Sequence, residues 1–319
     1  MHSGLARFLL RRVAFALLLV LVVSSAALVL AHLAPGDEAI GVDPAILAAE
    51  RHRIGIDKPL LIQYGTWLVR SARLDFGESL RFRRPVGELI RERAASTALL
   101  GLSALFLATS IGIPLGVMTG SRRGGVLVAA VRAGSIVLLS VPPLVTSLLL
   151  LLVAARTGWF PAGGLPDVPL DAGPFDAVGI TLRFLVLPAL ALALPIGASL
   201  ERLQSRSMRD ALAEPCMVAA LARGVPRERV VWRHAFRLSL APVIAVYGIV
   251  FGSVLSGSFA VEIVMSWQGL GHLMYQALQA RDLYLVAGCA AAGAAALAAG
   301  VLLSDLLLAA IDPRLEQIT

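Results

Sequence analysis

The sequence predicts an all-α polytopic membrane protein with about six transmembrane helices. Apolar residues make up 58% of the 319 positions, charged residues only 15%, and the mean hydropathy is +0.81. Soluble globular chains are about half apolar and about a quarter charged, so a water-soluble fold has no core large enough for this much apolar surface. Apolar runs recur from one end to the other without a long polar linker, which favours one membrane domain over two soluble ones.

The first apolar run covers residues 13–33 and follows a basic N-terminal segment, residues 1–12, that holds Arg7, Arg11 and Arg12. A helix needs about 20 mostly apolar residues to cross the hydrocarbon core of a bilayer. A secretory signal peptide has the same basic start, but its apolar region is usually about 7–15 residues long. The length of the run therefore favours a retained transmembrane helix.

The next segment, 34–95, mixes acids with basic residues and predicts a water-exposed, extracytoplasmic loop region. Five further apolar runs follow within a transmembrane core over 96–311. We expect helices at 96–118, 134–155, 184–200, 242–261 and 285–311, with a long basic loop at 201–241 and a short C-terminal segment at 312–319.

The distribution of arginine predicts which side of the membrane each loop faces, because Lys and Arg are enriched on the cytoplasmic flanks of membrane helices. Loop 201–241 holds eight arginines, and the loop between the second and third spans holds Arg122, Arg123 and Arg132. Residues 159–181, between the third and fourth expected spans and so on the other side of the membrane, include three aspartates and no basic residue. Both termini are therefore expected to be cytoplasmic.

Several kinds of active site are not supported by the sequence. Lys58 is the only lysine and follows no glycine-rich loop, so the chain has no G-x-x-x-x-G-K-[ST] phosphate-binding loop. The five histidines are scattered, and neither H-E-x-x-H nor G-x-S-x-G occurs. The net charge of +7 comes from arginine clusters beside apolar runs, without a nucleic-acid-binding motif. We expect no catalytic, cofactor-binding or metal-binding residue, and no nucleic-acid partner.

A distinctive pattern lies at residues 219–229 within the basic loop. Ala219 and Ala220 are small enough to let another surface approach, Gly224 suits the end of a helix, and Pro226 suits the start of the next. A solvated basic loop is the alternative. The segment nevertheless has apolar residues that water disfavours, which points to a protein partner: Val218, Leu221, Val225, Val230 and Val231.

This stretch resembles the EAA coupling motif of binding-protein-dependent ABC importer permeases, in particular the oligopeptide, dipeptide and nickel permease family. Val218 stands where the motif is named for an acid, a departure that is common in the peptide branch. Further blocks in family order extend the resemblance over essentially the whole chain: FLLRR (8–12), HLAPGD (32–37), GIDKPL (55–60), DFGES (75–79), GWFP (158–161), RHAFR (233–237) and SWQGLG (266–271).

The resemblance implies a type I ABC importer permease in the bacterial inner membrane that transports di- or oligopeptides. Nickel or metal chelates and glutathione-like solutes are alternative substrates, and a stand-alone secondary transporter is a weaker alternative. The implied partners are a second homologous permease, two ATPases that bind ATP–Mg, an extracytoplasmic substrate-binding protein and membrane lipid. The residues implied to contact the ATPase are Ala219, Ala220, Leu221, Arg223, Gly224, Val225, Pro226, Arg227 and Arg229.

Four residues in or near the apolar runs are candidates for the pore or for a hinge: Pro142, Pro143, Pro195 and Glu262. Proline breaks the hydrogen-bond ladder of a helix and kinks it. Such a kink fits either ordinary helix bending or a movable third span. Acids within membrane spans are functional candidates by default, but Glu262 lies near the end of a run, which favours a structural or interfacial role.

Overall fold

The computed structural model describes residues 2–33, 60–122, 124–164 and 173–311. The expected C-terminal segment 312–319 and the first part of the expected loop region, 34–59, lie outside the described residues. Within the described ranges every regular element is helical, and Glu78 and Pro85 form an isolated antiparallel bridge. The all-α prediction is confirmed.

Twelve α-helices follow one another in the described part of the chain. They are α1 His2–Leu33, α2 Leu60–Ser71, α3 Val86–Ser121, α4 Val126–Ser140, α5 Pro143–Thr157, α6 Pro174–Ala213, α7 Pro215–Ala222, α8 Arg227–Arg229, α9 Phe236–Ala245, α10 Tyr247–Val264, α11 Leu270–Gln279 and α12 Leu283–Ile311. A π-helical stretch, Val230–Ala235, joins α8 to α9 without interruption.

Five of these helices are long and apolar enough to cross a membrane: α1, α3, α6, α10 and α12. The pair α4 and α5 adds a sixth crossing if the two helices together form one broken span. Length and composition thus confirm the expectation of about six spans.

The third expected span, 134–155, is not a single helix. The structure has two helices, α4 and α5, bent by 108°. Val141 is extended (φ −103°, ψ 115°), as is usual for a residue before proline, and Pro143 occupies the first turn of α5. Two successive prolines cannot donate backbone hydrogen bonds, so α4 ends before them and α5 starts in a new direction.

Other helix ends also differ from the sequence expectation. Helix α3 begins at Val86, not at 96, and α6 covers Pro174–Ala213 instead of 184–200. Polar and charged residues continue both helices beyond their apolar windows. The expected 242–261 helix is divided at Val246, between α9 and α10, and Pro242 lies inside α9.

One compact unit comprises Met1–Ala98 and Gln268–Ala299. Its described core joins α1, α2, the start of α3, α11 and α12 through buried side chains that include Leu28, Trp67, Leu89, Leu273 and Leu285. The part of the expected loop region that is described, 60–95, therefore contains helix and core residues.

The second unit comprises Leu99–Trp267 and Gly300–Thr319. Its largest core surrounds α6 and contains Leu192 and Leu200 together with Leu100 of α3 and Val254 of α10. A smaller core lies around the C-terminal end of α6 and includes Met208. This smaller core positions the candidate functional site.

Candidate functional site

Helix α7 is a short helix whose end is fixed by Gly224. Gly224 has a left-handed backbone conformation (φ +81°). Its N–H donates to the Leu221 carbonyl at 3.0 Å, and the N–H of Val225 donates to the Ala220 carbonyl at 3.1 Å. These two bonds form a Schellman motif, which satisfies carbonyls at a helix end and favours glycine in this position. The expected helix end at Gly224 is confirmed.

The next helix begins directly after Pro226, as the sequence predicts. Pro226 is extended (φ −53°, ψ 136°), and its carbonyl accepts the N–H of Val230 at 3.1 Å. From Arg227 the chain remains helical through α8, the π-helical stretch and α9. Residues 215–245 thus form the expected short helix, tight turn and second helix. We refer to residues 215–229 as the coupling segment.

The coupling segment has one buried side. Met217 is buried, and Ala220 and Val225 pack against the same small core. This core includes Met208 of α6, Val117 of α3 and Val230 of the π-helical stretch. The segment is therefore packed against helices of its own unit and does not project as a free loop.

The opposite side of α7 exposes apolar residues. Val218 is 56% exposed and Leu221 is 39% exposed, and the small residues Ala219 and Ala222 lie exposed beside them. Water disfavours such a cluster, whereas a partner surface could approach the alanines closely. The arrangement suits docking into a groove.

Three arginines follow the C-terminal end of α7, and two of them bond to neutral carbonyls. Arg227 donates to the Ser121 carbonyl at the end of α3, at 2.7 Å, and so ties the turn to that helix. Arg223 donates to the Ala219 carbonyl at 3.3 Å. Arg229 is exposed. Guanidinium groups at the edge of a docking surface favour an acidic partner and make binding sensitive to salt.

The pore or hinge candidates lie in different settings. Pro142 and Pro143 form the break between α4 and α5, and Pro143 lies close to α10 at Gly257. Pro195 is inside α6, which continues through it as one helix. Glu262 is completely buried near the end of α10, where its carbonyl accepts the N–H of Trp267 at 2.9 Å. The structural or interfacial role expected for Glu262 stays a prediction.

A cavity beside the coupling segment was not expected from the sequence. It has a volume of about 1050 Å³. Its described walls come from α3 and the residue after it, α4, α6, α7, α8 and the π-helical stretch, and six of the lining residues are arginines. Three of these arginines, Arg202, Arg206 and Arg209, recur at helical spacing on α6. The spacing of these three arginines was visible in the sequence, but it does not indicate which other segments line the cavity.

The chain matches two described families along its length. Residues 112–317 match "Binding-protein-dependent transport system inner membrane component", and residues 5–98 match the N-terminal part of the corresponding membrane component. The coupling segment lies within the first match.

Curated relatives cover nearly the whole chain. The oligopeptide transport system permease protein AppB of Bacillus subtilis is 32% identical, over 98% of this chain and 100% of the relative. The oligopeptide transport system permease proteins OppB of Mycobacterium bovis and Mycobacterium tuberculosis are each 32% identical, over 85% of both chains. With its candidate membrane-spanning helices, the chain is a multi-pass protein of the bacterial inner membrane. It belongs to the family of binding-protein-dependent transport system inner membrane components, the permease subunits of ABC importers.

Proposed function

We propose that this permease subunit forms part of the translocation path for di- or oligopeptides and is driven through its coupling segment by a partner ATPase. The single observation that carries the coupling role is the exposed apolar side of α7 on a segment whose other side is packed into the small core. Peptide as substrate is supported by the names of the relatives, which are oligopeptide permeases.

The packing of the coupling segment provides a mechanical route from a partner to the membrane helices. A force on α7 acts through Met217 and Ala220 on a core that contains Met208 of α6 and Val117 of α3. Protein interiors are closely packed and transmit displacement. Closure of an ATPase dimer bound at Val218 and Leu221 would therefore move α3 and α6.

Energy must come from other subunits, because the chain has no phosphate-binding loop. The proposed assembly contains two ATPases that bind ATP–Mg, a second homologous permease and an extracytoplasmic substrate-binding protein. The coupling segment is assigned to the cytoplasmic side, together with both termini, because loop 201–241 carries eight arginines.

Substitution at Gly224 tests the coupling role. A residue with a Cβ in the left-handed region costs about 1–2 kcal/mol, and an acid at this turn would add negative charge beside the exposed side of α7. We expect Gly224→Asp to lose most substrate transport and most substrate-stimulated ATP hydrolysis in the reconstituted complex.

Gly158 provides a matched control. It also follows a helix, has φ +66° and has open space around its Cβ position, but it lies at the end of α5. We expect Gly158→Asp to keep most transport and ATP hydrolysis. Wild-type transport and ATP hydrolysis in the Gly224→Asp complex would refute the proposed coupling role.

A further inference from the structure

The cavity beside the coupling segment is surrounded by arginines from four parts of the second unit. Three lie on α6, one on α4, one just after α3 and one at the start of α8: Arg202, Arg206, Arg209, Arg132, Arg122 and Arg227. Among the described residues that line this cavity, Glu201 is the one acid. The cavity is therefore strongly cationic.

Three of these arginines lie close together on α6. Arg202, Arg206 and Arg209 are spaced four and three residues apart, so they share one face of the helix. Like charges at this spacing repel and destabilise a helix. The general enrichment of arginine on cytoplasmic flanks explains why these residues are basic. It does not explain why arginines from other elements converge on the same cavity.

No described acidic side chain forms an ion pair with these arginines. Glu201 is only 1% exposed, and its carboxylate accepts the Thr119 hydroxyl at 2.5 Å. Arg132 donates to the Thr119 carbonyl at 2.8 Å, and Arg209 donates to the Ser205 hydroxyl at 2.9 Å. Ion pairs of Arg70 and Arg84 lie elsewhere in the described part of the chain, and none of the described ion pairs involves an arginine of the cavity.

The chemistry of the wall indicates the class of ligand. A guanidinium group presents paired N–H donors that match the oxygens of a phosphate. Apolar side chains, including Ile136 and Leu203, also line the cavity. Basic pockets between transmembrane helices on the cytoplasmic side bind the head groups of acidic lipids.

We propose that this cavity binds a phosphate group, supplied either by the head group of an acidic phospholipid or by a small soluble phosphate. The wall also contains Val218, Leu221 and Arg227, so a bound phosphate would hold the coupling segment against α6. The site itself is formed by one chain and requires no ATPase. Its test is therefore separate from that of the coupling role.

The test uses the full-length permease, without ATPase subunits, in lipid nanodiscs. One set contains phosphatidylethanolamine alone, and the other contains phosphatidylethanolamine with phosphatidylglycerol. Native mass spectrometry measures retained phosphatidylglycerol, and titration calorimetry measures binding of inorganic phosphate. The variant is Arg202→Gln/Arg206→Gln. The matched control is Arg233→Gln/Arg237→Gln, which removes two exposed arginines at the same four-residue spacing outside the cavity wall.

We expect the cavity variant to bind phosphatidylglycerol or phosphate roughly 30-fold more weakly, because each arginine near a lipid surface contributes about 1 kcal/mol. The control should bind within about twofold of wild type, since surface charges outside the site have small effects. If the double variant does not fold, Arg206→Gln against Arg237→Gln gives the same comparison, with a loss of roughly fivefold.

Two positive outcomes distinguish the sources of the phosphate. Retained phosphatidylglycerol that inorganic phosphate does not displace assigns the site to lipid. Inorganic phosphate that binds in phosphatidylethanolamine alone assigns it to a soluble ligand. Equal binding by the cavity variant and wild type, an equal loss in the two double variants, or no binding of either ligand to wild type would overturn the proposal.

Discussion

Asp282 is a fully buried acid immediately before α12. Its carboxylate accepts hydrogen bonds from the Ser79 hydroxyl at 2.5 Å and from the backbone N–H groups of Arg81 at 3.1 Å and Leu285 at 3.3 Å. Burial raises the pKa of Asp282 above its ordinary value, and the hydrogen bonds act in the opposite direction. A raised pKa means that the folded state holds the proton more tightly than the unfolded state. The contribution of Asp282 to stability therefore falls as pH rises through that raised pKa.

As the pH rises above about 4, the ordinary pKa of aspartate, we expect wild type to lose thermal stability. The Asp282→Asn variant should lose less over the same pH range, because asparagine does not titrate. The measurement is the apparent Tm of the purified chain in detergent over a pH series. Asp75 is the control, because Arg70 beside this exposed carboxylate lowers its pKa. Asp75→Asn should retain the wild-type decline at the pH values where Asp282 titrates. Identical pH profiles for Asp282→Asn and wild type would show that Asp282 does not titrate in this way.

At the scale of single residues, the sequence predicted what depends on local backbone chemistry. Gly224 and Pro226 mark the helix end and the helix start because their backbone preferences act within a few residues. The cavity of arginines was not predicted, because its walls come from segments as far apart as Arg122 and Arg227. Only the fold brings those segments together.

Helices α3 and α6 pack closely along three glycines of α3: Gly112, Gly116 and Gly120. A Cβ at Gly112 would lie 2.5 Å from the Gly197 carbonyl oxygen, and one at Gly120 would lie 2.6 Å from the Ser205 carbonyl oxygen. Small residues spaced four apart allow membrane helices to approach in this way. The approach connects α3 to the α6 segment that also supports the coupling segment.

We expect Gly116→Ala to destabilise the chain by about 1–3 kcal/mol, the usual cost of an extra methyl group in a tight contact. The added Cβ would lie 2.7 Å from the Glu201 carbonyl oxygen, so the helix backbones must separate. Gly134→Ala in α4 is the control, because its Cβ position is open. The control should be neutral or more stable by up to about 1 kcal/mol, since alanine favours helix more than glycine does. Equal unfolding free energies for the two variants, measured by denaturant titration in mixed micelles, would contradict the proposed close packing.

At the scale of elements, the apolar runs predicted where spans exist but not how long their helices are. Hydropathy changes at the edge of the apolar window, whereas the helix of α6 continues through polar residues to Ala213. The break between α4 and α5 was visible as Pro142 and Pro143, but proline inside a membrane helix often causes only a kink. The change in direction of 108° depends on packing within the fold.

At the scale of the whole molecule, the chain is a permease subunit of an ABC importer. Its family and membrane location follow from sequence matches over most of its length. The composition and the order of the sequence blocks were sufficient to predict both. The central claim is that a partner ATPase binds at the coupling segment.

Native Cys216 tests this claim most directly, because it is exposed in α7 and Cys289 is buried. The measurement is the rate at which a bulky maleimide modifies Cys216 in the permease alone and in the complete complex with its ATPases, with Cys289→Ser as the labelling control. If the ATPase docks on the coupling segment, Cys216 will react at least about tenfold more slowly in the complex. A tenfold decrease corresponds to a free-energy cost of roughly 1.4 kcal/mol for exposing the Cys216 thiol in the complex. An equal labelling rate in an intact, ATP-hydrolysing complex would contradict the account.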